Sequence, residues 1–179
     1  MATATQDRKT QAFIEETRFG NWFLKSDTWK IHVLRRALND LQRLMPSGSS
    51  FARVLDVGCG FGHSFHELAT RFHPELIVGM DADPDLALRA GEEARACSAH
   101  VDLQPGNAAA MPFEDDSFDL VYCHQTFHHI VDQQQAMAEF YAWNKSNSYE
   151  IYESHKYTIQ RLSHFAENRY DIFVKFSNE

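Results

Sequence analysis

Three glycines at alternate positions, Gly58, Gly60 and Gly62, follow the short aliphatic run Arg53–Val57, which carries an acid, Asp56, two residues ahead of the first glycine. Glycine loses more freedom on folding than any other residue, so three in five positions mark a backbone that must stay bare. A strand that runs into such a turn and then into a helix is a ligand-binding device. The missing side chains admit a ligand to the main chain, and exposed N–H groups with the helix N-terminus are expected to supply positive potential. The spacing is D-x-G-x-G-x-G. An acid just ahead of the glycines suits a ligand bearing a cationic ammonium group and opposes a pyrophosphate. The dinucleotide fingerprint G-x-G-x-x-G is met only in its first two positions, because the third falls on His63. An NAD-dependent oxidoreductase is therefore the lesser alternative.

Other residues with chemical capacity are acids and histidines. Asp81 ends a second apolar run, "ELIVGMD". Asp83, followed by Pro84, reads as the N-cap of the next helix. Ten histidines invite a metal reading, with His63 and His66 three apart and His124 and His128 four apart. No H-E-x-x-H or paired-cysteine frame accompanies them, so no metal site is expected. His124 and His128 are the candidates for moving a proton, because imidazole titrates near neutral pH.

The elements that must hold these groups alternate. "RVLDV", "ELIVGMD", "HVDLQPG" and "SFDLVYCH" read as strands. "GHSFHELATRF", "DLALRAGEEARAC" and, after Asp132, "QQQAMAEFYAW" read as helices. Strand–helix alternation over short connections predicts a parallel sheet covered on both faces. Ahead of it, residues 1–20 carry weak helical periodicity. From Asp27, apolar Ile31, Leu34, Leu38, Leu41 and Met45 mark one helix face, ended by the loop "MPSGSS". The aromatics Phe19, Trp22, Phe23 and Trp29 are read first as hydrophobic packing and second as faces suited to a cation.

Bulk properties narrow the class. The 179 residues suffice for one domain with a sizeable core. Formal charge is −8, which does not favour a general phosphate-backbone binder. No apolar run approaches the ~20 residues of a membrane span, and the N-terminus lacks a secretory signal's apolar core, which points to a cytoplasmic protein. The three widely spaced cysteines form no disulfide framework.

The stretch "VLDVGCGFGH", followed in order by "GMDADPDLAL" and "GNAAAMPFEDDSFDLVYCHQTFHHI", resembles the class I methyltransferases that use S-adenosylmethionine, most closely the small-molecule type. The resemblance spans residues 51–143. It implies an α/β Rossmann-like, doubly wound sheet with an N-terminal helical extension over residues 1–50. It implies S-adenosylmethionine as cofactor and methyl transfer to a small-molecule acceptor by direct displacement. Carried over residue by residue, Asp56 matches the acid that supports the cofactor's amino-acid end. Gly58, Gly60 and Gly62 match the backbone cradle, and Asp81 with the neighbouring Ala82 matches the ribose site. Asn107 stands where the family commonly has Asp, and its side-chain oxygen can accept the same adenine bond without charge. Ala108 offers its N–H to the ring, His124 lines the methionine end, and Met111 and Phe113 are read as core. Residues 144–179 depart from the family. A "LKPGG"-like turn is absent and the composition shifts. "SYEIYES", "TIQRLSHFAEN" and "YDIFVKF" read as strand, helix and strand, a diverged or truncated segment that either completes the sheet or leaves it open. The alternative function is a non-catalytic cofactor-binding module.

Overall fold

The computed structural model describes residues 13–45, 51–143, 149–155, 158–161 and 172–175. At its centre are four parallel strands, Arg53–Val57 (β1), Leu76–Asp81 (β2), His100–Pro105 (β3) and Leu120–Cys123 (β4), in the order β3-β2-β1-β4. The register runs Val54↔Ile77 and Val57↔Met80 on one side of β1, and Val54↔Leu120 and Val57↔Cys123 on the other. Because β1 leads to β2 on one side and β4 lies on the other, the direction of winding reverses between β1 and β4. Open α/β sheets bind ligands at such a point.

Side chains alternate across a strand, so each strand feeds two cores. Val54, Ile77, Leu120 and Tyr122 pack into one cluster, and Leu55, Val78, Val121 and Cys123 into the other. Helices His63–Phe72 (α4) and Leu86–Ala96 (α5) cover the first face through Phe65, Leu68, Phe72, Leu86 and Ala90. Helix Gln133–Trp143 (α6), capped by Asp132 accepting the Gln135 N–H at 3.0 Å, covers the second through Ala136, Met137, Phe140 and Trp143. Met111 and Phe113 join this second core. Phe113 meets Phe118 and Trp143 edge-on at 5.0 and 5.1 Å, as the core reading expected.

The N-terminal part begins with Phe13 bridged to Ile130, then helix Arg18–Leu24 (α1), which Thr17 caps by accepting the Gly20 N–H at 2.9 Å. Residues 14–17 are not helical, against the weak periodicity, and residues 1–12 lie outside the described residues. A second helix is continuous but changes pitch: Asp27–Trp29 (α2), a π turn over Lys30–Leu34, then Arg35–Leu44 (α3). The Arg35 N–H bonds the Lys30 carbonyl, one residue further back than in an α-helix. The wider turn shifts the phase by one residue. Leu34, Leu38, Leu41 and Met45 face the core as the spacing predicted, but Ile31 is 47% exposed and Trp29 packs inward in its place. The loop after Met45 falls on residues 46–50, outside the described set.

Two further expectations change. Helix α5 starts at Leu86, not after Asp83. Asp83 instead accepts the Asp85 N–H at 2.8 Å and its carbonyl accepts from Leu86 at 3.1 Å, forming a separate proline-containing turn ahead of the helix. Beyond α6, Tyr149–His155 (β5), Thr158–Arg161 (β6) and Ile172–Lys175 (β7) form a second, antiparallel sheet in the order β6-β5-β7. The outer two stretches are strands as read, but Thr158–Arg161 is a strand rather than part of a helix. It pairs Tyr152↔Arg161 through His155↔Thr158. A two-residue connection between β5 and β6 favours a hairpin over a strand-to-helix junction, which explains the change. The rest of the expected helix, residues 162–168, lies outside the described residues. β7 lies alongside β4, but no ladder joins them among the described residues.

Gly79 sits mid-strand for a packing reason. A Cβ there would lie 2.6 Å from the Phe65 ring, and so would one at Gly62. Phe65 thus fills the space that both glycines vacate. Phe65→Ala is expected to cost about 3–5 kcal/mol, read as a lower urea midpoint.

Candidate cofactor site

At the carboxyl ends of β1, β2 and β4 lies a cavity of about 510 Å³, lined by residues from all three strand ends and from the N-terminal segment. The glycine turn forms its floor. Gly58, Gly60 and Gly62 all have left-handed backbones, with φ of +73°, +55° and +76°. They serve different ends. A Cβ on Gly58 would overlap the Thr126 side chain, and one on Gly62 would strike Phe65. A Cβ on Gly60 would meet nothing nearer than 4.0 Å. Gly58 and Gly60 line the cavity, and Gly62 does not. Gly60 is thus the position where bareness leaves open space.

Four of the turn's amide hydrogens, those of Gly58, Cys59, Gly60 and Gly62, are held within the fold, whereas the first N–H groups of α4 have no intrahelical acceptor, in line with the expected donors at the helix start. The Met80 carbonyl accepts from Gly58 at 2.7 Å and Cys59 at 3.0 Å, the Cys59 carbonyl from Gly62 at 2.8 Å, and Asp81 Oδ2 from Gly60 at 2.9 Å. The other oxygen of Asp81 accepts the Asp83 N–H at 3.0 Å. Each carboxylate oxygen keeps a second lone pair for a ligand. Among the described residues, the cavity wall carries five carboxyl side chains, Glu15, Glu16, Asp56, Asp81 and Asp83, against one guanidinium, Arg89. Arg89 is itself paired with Asp83. The balance favours a cation.

Asp56 is buried beneath the turn and accepts a hydrogen bond from the Ser64 hydroxyl. Burial pushes its carboxyl up to about 7, despite the bond from Ser64. His124, just past β4, is buried too, and neither ring nitrogen has a partner among the described residues. Burial lowers it to about 4. The Tyr122 hydroxyl is equally buried and unpartnered there. A buried polar group without a partner costs roughly 1–3 kcal/mol, so these atoms point to a ligand that satisfies them. The next residue, Gln125, holds a left-handed φ of +58°, a strained conformation of the kind found at ligand sites.

Asn107 and Ala108 line the cavity beyond β3, with Gly106. Asn107 Oδ1 accepts the Ala109 N–H at 3.0 Å, so part of its accepting capacity shapes its own turn. Ala82 also lines the wall. His128 is not among the lining residues, and burial lowers its imidazole from the ordinary value, helped by neighbouring His129. His66 is exposed on α4, and no group of three or more metal-binding side chains occurs among the described residues.

Several lining residues escaped the sequence reading. His129 fastens the N-terminal segment over the cavity. Its Nδ1 is 2.8 Å from the Ile14 carbonyl, its Nε2 is 3.4 Å from Glu16, and its own carbonyl accepts the Ile14 N–H at 2.8 Å. Nothing in "FHHI" separates it from His128, because the short 3₁₀ turn Phe127–His129 that sets their directions has no periodic signal. Of the N-terminal aromatics, Phe19 and Trp22 are 72% and 65% exposed, which overturns the packing reading for them. Trp29 lines the cavity and also packs against the first core.

A four-stranded parallel sheet with helices on both faces and a ligand cavity at its switch point defines a Rossmann-like α/β protein. A family model described as a methyltransferase domain matches residues 55–152, and the chain belongs to that family. The uncharacterized methyltransferase YcgJ of Bacillus subtilis is 36% identical over 88 residues, which is 49% of this chain and 34% of that protein. The chloroplastic tocopherol O-methyltransferase of Arabidopsis thaliana is 40% identical over 89 residues, 49% of this chain and 25% of that protein. The matched region thus spans about a third or less of these curated relatives. The crystal structure of the Bacillus YcgJ protein superposes with a TM-score of 0.56 at 27% identity, covering 65% of this chain and 49% of that one. A Methanococcus maripaludis structure, titled a putative S-adenosyl-L-methionine-dependent methyltransferase, shares the fold at TM-score 0.62 and 17% identity, covering 76% and 64%. The family and fold imply S-adenosylmethionine as cofactor. The bare Gly60, the acid-rich wall and the unpartnered His124 fit its cationic, polar character. No helix among the described residues is long and apolar enough to cross a membrane.

The two buried titrations act on stability with opposite sign. Asp56 is raised from 3.8, so its contribution is fully present below that value and is lost as pH rises through about 7. His124 is lowered from 6.5, so its contribution is present above that value and is lost as pH falls through about 4. Asp56→Asn removes the first term alone. Its stability relative to wild type is expected to rise between pH 4 and 7 by a few kcal/mol, read from urea midpoints across that range. His129→Ala is expected to speed amide exchange around Ile14 while global stability changes by less than about 1 kcal/mol.

Proposed function

We propose that the chain binds S-adenosylmethionine in this cavity and takes part in methyl transfer to a small-molecule acceptor by direct displacement. The observation that carries the reading is the juxtaposition of Asp81, clamped to the bare turn at Gly60, with a wall of five carboxyls among the described residues and one already paired guanidinium. When bound, the cofactor supplies an activated methyl group on a good leaving group.

The roles follow from position. Asp81, with a lone pair remaining on each oxygen, accepts from the ribose hydroxyls, and Ala82 closes the wall beside it. Asn107 and Ala108 take the adenine end, the Asn side chain through the accepting capacity its own turn leaves. Asp56, beneath the turn, faces the cationic amino-acid end together with the main chain of Gly58 and Gly60. Gly62 acts one step back, fixing the start of α4 against Phe65. His124 stays neutral above about pH 4, so it orients ligand atoms by hydrogen bonding. A conjugate acid that strong makes it a poor acceptor of the methyl acceptor's proton. His128 is not among the lining residues, so this reading assigns it no direct contact with the acceptor. What remains for the protein is to hold the acceptor in line and exclude water, and alignment alone can supply roughly 7–11 kcal/mol of barrier reduction. A cavity of about 510 Å³ is in the range that encloses one small molecule, which supports a cofactor of this size.

Isothermal titration is the test. Wild-type protein is expected to bind both S-adenosylmethionine and its demethylated product, S-adenosylhomocysteine. Asp81→Ala is expected to weaken both about 10- to 100-fold, the equivalent of losing hydrogen bonds to a charged group. Well-folded wild type that binds neither overturns the reading.

A further inference from the structure

Of Phe19, Trp22, Phe23 and Trp29, only Trp29 lines the cavity; Phe13, further back in the chain, lines it too but is in no ring contact with His63 or His124 among those described. Trp29 reaches that position through two local devices. Ser26 caps the helix start by accepting the Trp29 N–H at 3.2 Å. The π turn over Lys30–Leu34 then shifts the phase, so that Trp29 takes the inward place that plain helical spacing gives to Ile31. Interruptions of this kind are often found at functional sites.

The indole closes a run of rings. Its centroid is 6.0 Å from His124 and 6.4 Å from His63. His124 in turn stacks on Tyr122 at 5.9 Å, and His63 on Phe61 at 5.9 Å. Aromatic faces carry negative potential and attract cations, tryptophan most strongly. The two histidines add no positive charge to oppose this, since burial lowers both from their ordinary value. Phe61 is already occupied, with Lys25 Nζ at 4.6 Å and the Arg89 guanidinium at 4.4 Å from its centre. Trp29 is the aromatic of this run best suited to a cation that enters the cavity.

We infer that Trp29 is the specificity-determining side chain by which this cavity distinguishes a charged sulfonium from the neutral thioether left after methyl transfer, and that the π turn is what places it there. The inference rests on the cofactor reading above.

The experiment compares the dissociation constants of S-adenosylmethionine and S-adenosylhomocysteine for the full chain by titration calorimetry, in wild type, Trp29→Phe and Trp29→Leu. Trp29→Leu is expected to weaken the sulfonium between about two- and thirty-fold more than the thioether, the range of a cation–π contact. Trp29→Phe is expected to fall between Leu and wild type. Thioether binding in each variant reports that the cavity is intact. If Trp29→Leu binds neither ligand, the ratio in Trp29→Phe decides, and a ratio equal to wild type overturns the inference. An equal change for both ligands, or none, also overturns it while leaving the cofactor reading in place. Wild type that binds neither ligand fails the cofactor reading itself.

Discussion

The Asp81 carboxylate reaches 2.9 Å to the Gly60 N–H, and the Met80 carbonyl next to it takes the N–H groups of Gly58 and Cys59. The end of β2 therefore dictates the path of the turn that leaves β1. The left-handed conformations of the three glycines are what allow the chain to make those bonds, and a Cβ at Gly58 or Gly62 would collide with Thr126 or Phe65. Once the turn is fixed, α4 must start at His63. Ser64 then reaches Asp56, and Phe65 fills the space over Gly62 and Gly79. One carboxylate thus sets the floor of the cavity and the seating of the first helix together. The same bonds occupy four of the turn's donors, and the acids that outnumber the one guanidinium in the described wall favour a cationic ligand.

Much of this was legible in the chain. β1 and α4 lie where the aliphatic run and the Phe65, Leu68, Ala69, Phe72 spacing place them, and Asp81 ends β2 as read. Those features follow from local rules: branched residues for strands, a period near 3.6 for helices, glycine where the backbone turns left-handed. The roles of the glycines were less legible. A sequence shows that a side chain is missing but not whether a ligand, Thr126 or Phe65 takes the space.

The misses fall where residue type and spacing do not carry the deciding information. Ile31 has the right spacing for the core but sits on the wrong side of a π turn that no residue type announces. Phe19 and Trp22 look like packing residues, yet they are largely exposed and meet only each other among the described ring contacts, tilted with centroids 5.7 Å apart. Thr158–Arg161 pairs as a strand because β5 is two residues away. His129 and His128 are indistinguishable as letters. A three-residue 3₁₀ turn aims one at Ile14 and Glu16, where it ties the N-terminal segment down as a wall of the cavity.

The placement of the cysteines has a practical consequence. Cys59 and Cys123 are buried, and burial together with Asp56 and Asp81 pushes the Cys59 thiol well up, so its reactive thiolate is scarce. Cys97 is partly exposed at the far end of α5, eight residues from Arg89 at the cavity, which is about 12 Å along a helix. A maleimide dye added to the native protein therefore goes to a single address. It would report on domain motion from outside the pocket without any engineered residue.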